Sequence, residues 1–377
     1  MKSKVFFSDW KASSGKTLLD KLDVLLDRVD LKGKIKERDL VAIKLHFGEK
    51  GNTAFVRPIF LRRVVDGIKR CKGKPFLTDT NTLYRGTREE AISHLTTAYQ
   101  NGFVHSVVDA PLLIADGLKG NNGVKVRIDK PIFKNVSIAH AIYMADALIG
   151  VAHFKGHELA GFGGALKNLG MGCASREGKL NQHSNVSPQV KEKACKGCEL
   201  CLNACVQEAI SMQLPTSGIE TKRKIALIDF RKCIGCGECL LICPNHAIQI
   251  RWNETIPIFQ KKMVEYAYGA IQRKKRKALY LNFLMQISPA CDCNGYSDAP
   301  IVRDIGILSS EDPVAIDQAS VDLVNQEEGN RSSKLTKNWK PGEDKFRALY
   351  PEVDWSIQLA YGEEIGLGTR EYELIKI

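Results

Sequence analysis

Strands and helices alternate along the first part of the chain, as its hydrophobic and polar positions predict. Apolar runs of strand length occur at 4–10, 40–47 and 147–154. Between them, residues 18–29 and 57–71 carry apolar side chains at helical spacing. This alternation predicts an α/β body with a mainly parallel sheet.

The same alternation resumes near the C-terminus, so we expect one α/β body interrupted by a different segment. The further predicted elements are a helix at 87–102 with a Thr87 cap, strands at 74–80, 124–128, 278–287 and 300–308, a helix at 259–273, and a helix at 312–326 capped by Asp312 with Pro313 at its first position. The order of the strands is not readable from the sequence.

The interrupting segment contains two copies of a cysteine pattern. Eight of the twelve cysteines lie within 49 residues, in "CKGCELCLNAC" from Cys195 and "CIGCGECLLIC" from Cys233. Each run reads C-x2-C-x2-C-x3-C, in which three cysteines wrap one [4Fe–4S] cluster and the fourth binds the other cluster. Zinc is the alternative, but zinc ribbons use separated C-x2-C pairs rather than two runs of four.

The spacing predicts which cysteines share a cluster. The first set is Cys195, Cys198, Cys201 and Cys243, and the second set is Cys233, Cys236, Cys239 and Cys205. Pro244 closes the second run, as the bacterial pattern requires, whereas Val206 stands at that place in the first.

Residues 188–252 resemble the bacterial two-cluster ferredoxin fold, so we expect an inserted α+β ferredoxin-like domain there. A hairpin is expected between the two cysteine runs, with Pro215 and Gly218 at its turn. The predicted organisation is a first body segment at 1–187, the insert at 188–252 and a second body segment at 253–377.

Polar residues follow several predicted strands, where open α/β sheets bind their ligands. Five such loops suggest one shared pocket. They carry His46, Glu49 and Asn52; Asp79, Thr80, Asn81 and Thr82; His153, Lys155 and His157; Ser288, Cys291, Asp292 and Cys293; and Ser309, Ser310, Glu311 and Asp312. His94 and His105 are read as ordinary helix or surface residues.

The stretch "FKGHELAGFGGALKNLGMG" after the 147–154 strand is rich in glycine, yet matches neither the dinucleotide nor the P-loop fingerprint. Its glycines precede a predicted helix start, whose N–H groups suit an anionic ligand beside two lysines. The candidate ligand-binding residues are Lys155, His157, Gly161, Gly163, Gly164, Lys167 and Asn168. A tight structural crossover and a loop that faces a cluster are the alternatives.

A second metal site is a further alternative at this edge. Histidine and cysteine side chains suit a transition metal, and the candidates are His153, His157, Cys173, His183, Cys291 and Cys293.

The block "GVAHFKGHELAGFGGALKNLGMGCASREGK", followed by "QHSNVSPQV" and the double cysteine motif, resembles the domain-of-unknown-function family 362 over essentially the whole chain. Members of that family are described as iron–sulfur centre proteins. The resemblance implies an α/β domain with an inserted ferredoxin unit and gives the eight cysteines a role, but it implies no reaction.

Three functions are compatible with these features: an electron-transfer protein, a redox enzyme acting on an anionic small molecule or cofactor at the glycine-rich loop, and a maturation factor for a cluster or cofactor. The net charge of +12 suits an acidic redox partner or a small anion, and no nucleic-acid motif accompanies it. No signal-peptide core or membrane-spanning run is evident, so we expect a cytoplasmic protein.

Overall fold

A computed structural model describes residues 2–184, 188–215, 223–233, 235–250 and 254–377. The strands are β1 (Ser3–Asp9), β2 (Leu40–Lys44), β3 (Lys74–Asp79), β4 (Leu112–Ile114), β5 (Gly123–Arg127), β6 (Asn135–Ala139), β7 (Ala147–His153), β8 (Lys155–His157), β9 (Gly161–Gly163), β10 (Gln189–Val190), β11 (Ile210–Gln213), β12 (Ile225–Ile228), β13 (Ile248–Gln249), β14 (Ala278–Leu284), β15 (Gly306–Ser310) and β16 (Tyr372–Lys376). The helices are α1 (Leu18–Arg28), α2 (Leu31–Lys34), α3 (Pro58–Arg70), α4 (Ala91–Gln100), α5 (His105–Val108), α6 (His140–Met144), α7 (Ala165–Gly170), α8 (Arg176–His183), α9 (Leu200–Asn203), α10 (Glu238–Ile242), α11 (Ile256–Ile271), α12 (Pro313–Gln326), α13 (Lys345–Leu349) and α14 (Ser356–Glu364).

An eight-stranded sheet forms the body, in the order β16-β1-β15-β14-β7-β2-β3-β4. Its strands pair in parallel, except that β15 runs antiparallel to both β1 and β14. The predicted α/β class with a mainly parallel sheet is therefore confirmed. The predicted strand at 300–308 is correct only in its last residues, and 124–128 pairs in a separate hairpin, β5 with β6.

Helices cover both faces of the sheet. Successive residues of a strand point to opposite faces, and each face carries its own apolar core. In β7, Leu148 contributes to one apolar core and Ile149 to the other. Helices α1 and α3 supply the second core, while α7, α11 and α12 supply the first. Burial on both faces explains why the central strands are mostly apolar, with the buried Asn282 of β14 as an exception.

Side-chain caps fix where the helices begin. The predicted Asp312 cap is confirmed, since its carboxylate accepts the N–H groups of Val314 and Ala315 at 2.9 and 3.0 Å. The predicted Thr87 cap is wrong, because α4 begins at Ala91 under a Glu90 cap. Two Glu90 oxygens there satisfy the first backbone N–H groups, and a carboxylate favours the positive end of the helix.

The segment that carries the cysteine runs forms two small antiparallel pairs, β10 with β13 and β11 with β12. The β11–β12 pairing agrees with the predicted hairpin, whose turn at Gly218 lies outside the described residues. Apolar side chains of this segment cluster with Leu83 and Leu180 from the body. The segment therefore packs directly on the body.

Candidate functional site

A cavity lies where β2, β3, β7 and β14 end, since these parallel strands present their carboxyl ends at one edge of the sheet. The cavity there has a volume of about 420 Å³. Its lining includes His46 after β2, Thr80 after β3, His153 from β7 and Cys293 from the loop after β14. Four of the five predicted loops thus meet at one pocket.

The fifth predicted loop does not reach this edge. Because β15 is antiparallel, its carboxyl end and the 309–312 segment lie at the opposite edge of the sheet. Asp312 there accepts hydrogen bonds from the Ser3 hydroxyl at 2.7 Å and the Thr369 N–H at 2.9 Å. The prediction that this loop joins the pocket is wrong. Through Asp312 the loop instead hydrogen-bonds to residues near both ends of the chain.

The structure brings together most of the predicted ligand-binding residues. Those that line the cavity are Lys155, His157, Gly164, Lys167 and Asn168. Gly161 and Gly163 instead belong to β9, which pairs with β8 as a short hairpin beside the cavity. Gly161 has a φ of +76°, and a Cβ there would come within 2.5 Å of Trp355, so this glycine serves local packing.

A protein carboxylate already occupies the helix start that was expected to bind an anion. Asp317 on α12 accepts the N–H groups of Ala165 and Leu166 at 2.7 and 2.9 Å, and the Asn282 amide at 2.7 Å. Burial raises the pKa of Asp317 to about 6, although the hydrogen bonds oppose that shift. The expectation of free N–H groups at this helix start is therefore wrong.

Of the four lysines that line the cavity, Lys44 and Lys155 have an acidic partner, and Lys167 donates to the Cys291 sulfur at 3.3 Å. Lys44 lies 2.9 Å from Asp79, and Lys155 lies 2.8 Å from Asp292. The amide of Asn168 holds Lys44 from the other side, since its oxygen accepts from Nζ at 2.9 Å and its nitrogen donates to the Lys44 carbonyl at 3.0 Å. Paired in this way, the buried charges largely neutralise one another.

Lys179 on α8 differs from these lysines. Its Nζ donates to the Thr80 hydroxyl at 2.6 Å and to the Asn81 carbonyl, and within the described ranges no carboxylate lies within 4.0 Å of it. Burial lowers the pKa of Lys179 to about 8, while the nearby Asp116 and Asp79 oppose that shift. Lys179 is therefore the lining cation best placed to pair with a ligand.

Sequence reasoning missed a buried charge network beside the cavity. Arg88 lies 3.1 Å from Glu49 and 3.4 Å from Asp79, with only 2% of its surface exposed. His94, read from the sequence as an ordinary helix or surface residue, is fully buried and lies 3.7 Å from Asp79. The charge of Lys44, together with that of Arg88, holds the pKa of the Asp79 carboxyl well below its usual range despite its burial. This network corresponds to no local sequence motif, because its residues come together only in the folded protein.

The eight cysteines of the two runs surround two small cavities in the cysteine-bearing segment. One is lined by Cys195, Cys198, Cys201 and Cys243, and the other by Cys205, Cys233, Cys236 and Cys239. The fourth cysteine of each run therefore lies with the first three of the other run.

Matching backbone donors face the two exchanged cysteines. The Ala209 N–H donates to the Cys205 sulfur at 3.3 Å, and the Ala247 N–H donates to the Cys243 sulfur at 3.2 Å. Each donor lies four residues after its cysteine, so the repeat in sequence is a repeat in structure. Such N–H···S bonds stabilise negative charge on sulfur.

Arg85 connects the cavity side of the body to the cysteine-bearing segment. Its guanidinium donates to the carbonyls of Leu240 and Leu241 at 3.2 and 3.0 Å and to the carbonyl of Cys243. The neighbouring Tyr84 hydroxyl donates to the Cys293 carbonyl at 3.2 Å. Two consecutive residues thus contact the cavity loop and one cysteine cavity.

The remaining candidate metal ligands lie in separate surroundings. Cys173 is buried in the apolar core, whereas His183 lines the cavity and stacks on Phe259 with ring centroids 4.8 Å apart. Over the described parts of the chain, no group of three or more His, Cys, Asp or Glu side chains is arranged to hold a single metal ion. None of the described helices has the length and apolar character needed to cross a membrane.

Two curated proteins match parts of this chain. One component of the ion-translocating oxidoreductase complex of Methanosarcina acetivorans is 37% identical over 62 residues, which is 16% of this chain and 20% of that protein. The indolepyruvate oxidoreductase subunit IorA of Pyrococcus horikoshii is 34% identical over 76 residues, which is 20% of this chain and 11% of that protein. The chain thus spans about a fifth or less of the length of these relatives.

Among solved structures, the lactate racemase apoprotein from Thermoanaerobacterium thermosaccharolyticum aligns with 74% of this chain and 50% of its own, at 14% identity and a TM-score of 0.36. A family description, Domain of unknown function (DUF362), matches residues 41–322. That range runs from β2 into α12 and contains both the cavity loops and the cysteine runs. The chain therefore belongs to the DUF362 family.

Proposed function

We propose that this chain is an iron–sulfur redox protein whose segment 188–252 binds two [4Fe–4S] clusters. In this proposal the segment is an inserted ferredoxin-like domain, and residues 1–187 and 253–377 form the body around it. Cys195, Cys198, Cys201 and Cys243 would hold one cluster, and Cys233, Cys236, Cys239 and Cys205 the other. Such clusters accept and donate single electrons.

The observation that carries the proposal is the exchange of the fourth cysteines between the two cavities. If each cysteine run bound its own metal, the four cysteines around each cavity would all come from one run. The cross-over is instead the arrangement that two-cluster ferredoxins require. The paired N–H···S contacts at Cys205 and Cys243 support it, since they stabilise thiolates of the kind that bind iron.

The curated relatives support a redox role in general terms. Both are named as parts of oxidoreductases. An acidic redox protein as external partner remains a proposal that rests on the net charge of +12.

A second candidate function, a redox enzyme that delivers electrons to a molecule in the body cavity, is favoured by one observation. Tyr84 and Arg85 contact the cavity loop and the Cys243 carbonyl from adjacent positions. A carrier that served only external partners needs no such cavity beside its clusters. We therefore propose that the cavity holds the electron acceptor.

Iron analysis of cysteine variants tests the cluster assignment. Anaerobically purified protein should contain about eight iron atoms per chain, and Cys205→Ser about four. Val206→Ser is the matched control. Val206 is 83% exposed and lines the same cavity as Cys205, but it has no sulfur to bind iron, so this variant should keep all the iron.

Electron paramagnetic resonance of the reduced variants then tests the exchange. Cys205→Ser and Cys236→Ser should leave the same residual spectrum, because they remove the same cluster, whereas Cys201→Ser should leave a different one. If Cys205→Ser resembles Cys201→Ser instead, each run binds its own cluster and the proposed assignment is wrong. A protein that binds no iron and sulfide would overturn the proposed function altogether.

A further inference from the structure

The sequence Cys291-Asp292-Cys293 follows β14 and lies against the cavity. Its central residue is held by two side chains, since the Asp292 carboxylate lies 2.7 Å from the His153 ring nitrogen and 2.8 Å from the Lys155 Nζ. All three of these side chains are buried. Because Asp292 is held in this way, the backbone on either side of it is fixed too, and the two flanking cysteines are brought together.

The two cysteines close a tight turn, in which the Cys293 backbone N–H donates to the Cys291 sulfur at 3.5 Å. Lys167 also donates to the Cys291 sulfur, at 3.3 Å. Cys291 is fully buried, while Cys293 reaches the cavity lining. The pair therefore has one sulfur that faces a ligand and one that is held behind it.

His157 also lines the cavity near this pair. Its Nδ1 accepts the backbone N–H groups of Leu159 and Ala160 at 3.1 and 3.2 Å, so the ring proton lies on Nε2. Because a neighbouring cation stabilises a thiolate, Lys167 at 3.3 Å favours the thiolate form of Cys291.

We propose that Cys291 and Cys293 are a redox-active dithiol that reduces a small organic disulfide bound in the cavity. The inference rests on the proposed function, because the clusters are the one-electron donors that restore the dithiol. It goes beyond that function by naming the acceptor in the protein and the class of substrate.

The chemistry balances through thiol–disulfide exchange. The Cys291 thiolate takes the proton of the Cys293 thiol as the Cys293 sulfur attacks the substrate disulfide, which forms a mixed disulfide and releases one thiolate. After losing its proton, Cys291 attacks the Cys293 sulfur, which releases the second thiolate and forms the Cys291–Cys293 disulfide. Both released thiolates take up protons. Two electrons and two protons then restore the dithiol, so the net change is one disulfide reduced to two thiols.

The surroundings of the two sulfurs support this assignment. Hydrogen bonding from Cys293 and the charge of Lys167 hold the pKa of Cys291 well below that of an ordinary thiol, although burial opposes this. The hydrogen bond to Cys291 and burial hold the pKa of Cys293 well above it. The resting pair is therefore a Cys291 thiolate beside a Cys293 thiol, so Cys291 is the base that takes the Cys293 proton. By contrast, burial raises the pKa of Cys173 to about 11 in the apolar core. Cys173 is therefore a matched control that the exchange should not involve.

The number of electrons also fits. Reducing a disulfide takes two electrons, and two one-electron centres deliver that number in a single loaded state of the protein. Tyr84 and Arg85 provide the direct connection between the Cys293 carbonyl and the Cys243 carbonyl.

Lys179 indicates what the substrate carries. Within the described residues neither Lys167 nor Lys179 has a carboxylate within 4.0 Å, but Lys167 already donates to the Cys291 sulfur, so a carboxylate on the substrate would pair with Lys179. We therefore expect an acidic disulfide such as dithiodiglycolate to react at least about tenfold faster than the uncharged hydroxyethyl disulfide, a ratio that corresponds to one favourable charge contact. Lys179→Met should remove that preference.

Peptide mass spectrometry of anaerobic protein tests the dithiol directly. After treatment with dithiodiglycolate and alkylation, the peptide containing Cys291 and Cys293 should be about 2 Da lighter and unalkylated, as a disulfide is. Cys291→Ser should instead retain a mixed disulfide with the probe on Cys293. Cys173→Ser should behave like the parent. A Cys291–Cys293 peptide that stays fully alkylated in the parent protein would overturn the proposal.

Separate measurements distinguish failure of this proposal from failure of the proposed function. Iron content reports the clusters and does not depend on the dithiol. In the parent protein, reduction of the clusters should be followed by reduction of the Cys291–Cys293 disulfide. In Cys236→Ser, which lacks one cluster, the rate of that disulfide reduction should be at least about tenfold lower. Full iron with no disulfide would refute only the dithiol, whereas a disulfide in protein without iron would refute the clusters as its electron source.

Discussion

Replacing Asp317 with asparagine tests whether a buried, partly protonated carboxyl holds the start of α7. Ala165, Leu166 and Asn282 donate to its two oxygens at 2.7 to 2.9 Å. Asparagine keeps one acceptor oxygen, so at least one buried donor loses its partner. We expect this loss to cost about 1–3 kcal/mol of unfolding free energy at any pH.

A pH-dependent contribution adds to this constant loss. The pKa of Asp317 is about 6 in the folded protein and 3.8 ordinarily, so between these values the folded state binds a proton that the unfolded state lacks. Protonation therefore stabilises the fold at low pH, and that stability is lost as pH rises through 6. From the two pKa values, the contribution is about 2 kcal/mol larger at pH 4.5 than at pH 7.

The deficit of Asp317→Asn should therefore be about 2 kcal/mol greater at pH 4.5 than at pH 7, because asparagine does not titrate. Urea denaturation under anaerobic conditions, followed by far-UV circular dichroism, measures both deficits. Asp109→Asn is a control of opposite sign, since a hydrogen bond from Lys69 lowers the pKa of that carboxyl. Equal deficits at the two pH values, or a smaller one at pH 4.5, would mean that Asp317 is ionised throughout and refute the reasoning.

Three further variants test other contacts. Arg85→Ala should remove hydrogen bonds worth about 1–3 kcal/mol to helix α10 of the cysteine-bearing segment. Amide hydrogen exchange in α10 should then be faster, and unchanged exchange would contradict the contact. Gly156→Ala places a Cβ 2.2 Å from the Pro289 carbonyl oxygen, so it should lower the melting temperature, whereas Gly15→Ala, with open space around it, should not. Arg88→Leu should cost about 3–5 kcal/mol by leaving two buried carboxylates without their cation, and a melting temperature equal to that of the parent would show that the network is dispensable.

The elements that could be predicted are those whose signal is local. The apolar stripe of α1 and the Asp312 cap of α12 depend on neighbouring residues, and both agree with the structure. The cysteine spacing is equally local, because three cysteines within seven residues can reach one cavity without help from the fold. Which cysteines gather around each cavity follows the predicted grouping.

The features that could not be predicted depend on partners far away in sequence. The Asp317 carboxylate meets the Ala165 N–H across 152 residues, and the Arg88 network likewise forms only when separate strands assemble. Strand direction is a property of the whole topology, so the apolar run of β15 gave no sign that it is antiparallel. These contacts decide which backbone donors and charges stay available to a ligand, and that is why the site was only partly predictable.

The position of β1 has a consequence for how the protein is made. Its neighbours in the sheet are β15 and β16, which are synthesised after all the other strands of that sheet. Until then β1 has two unpaired edges, and such edges attract other chains. The cysteine runs emerge earlier than either partner. Delivery of the proposed clusters can therefore begin while the body sheet is incomplete, and we expect chaperones to keep strand β1 of the nascent chain apart from other chains.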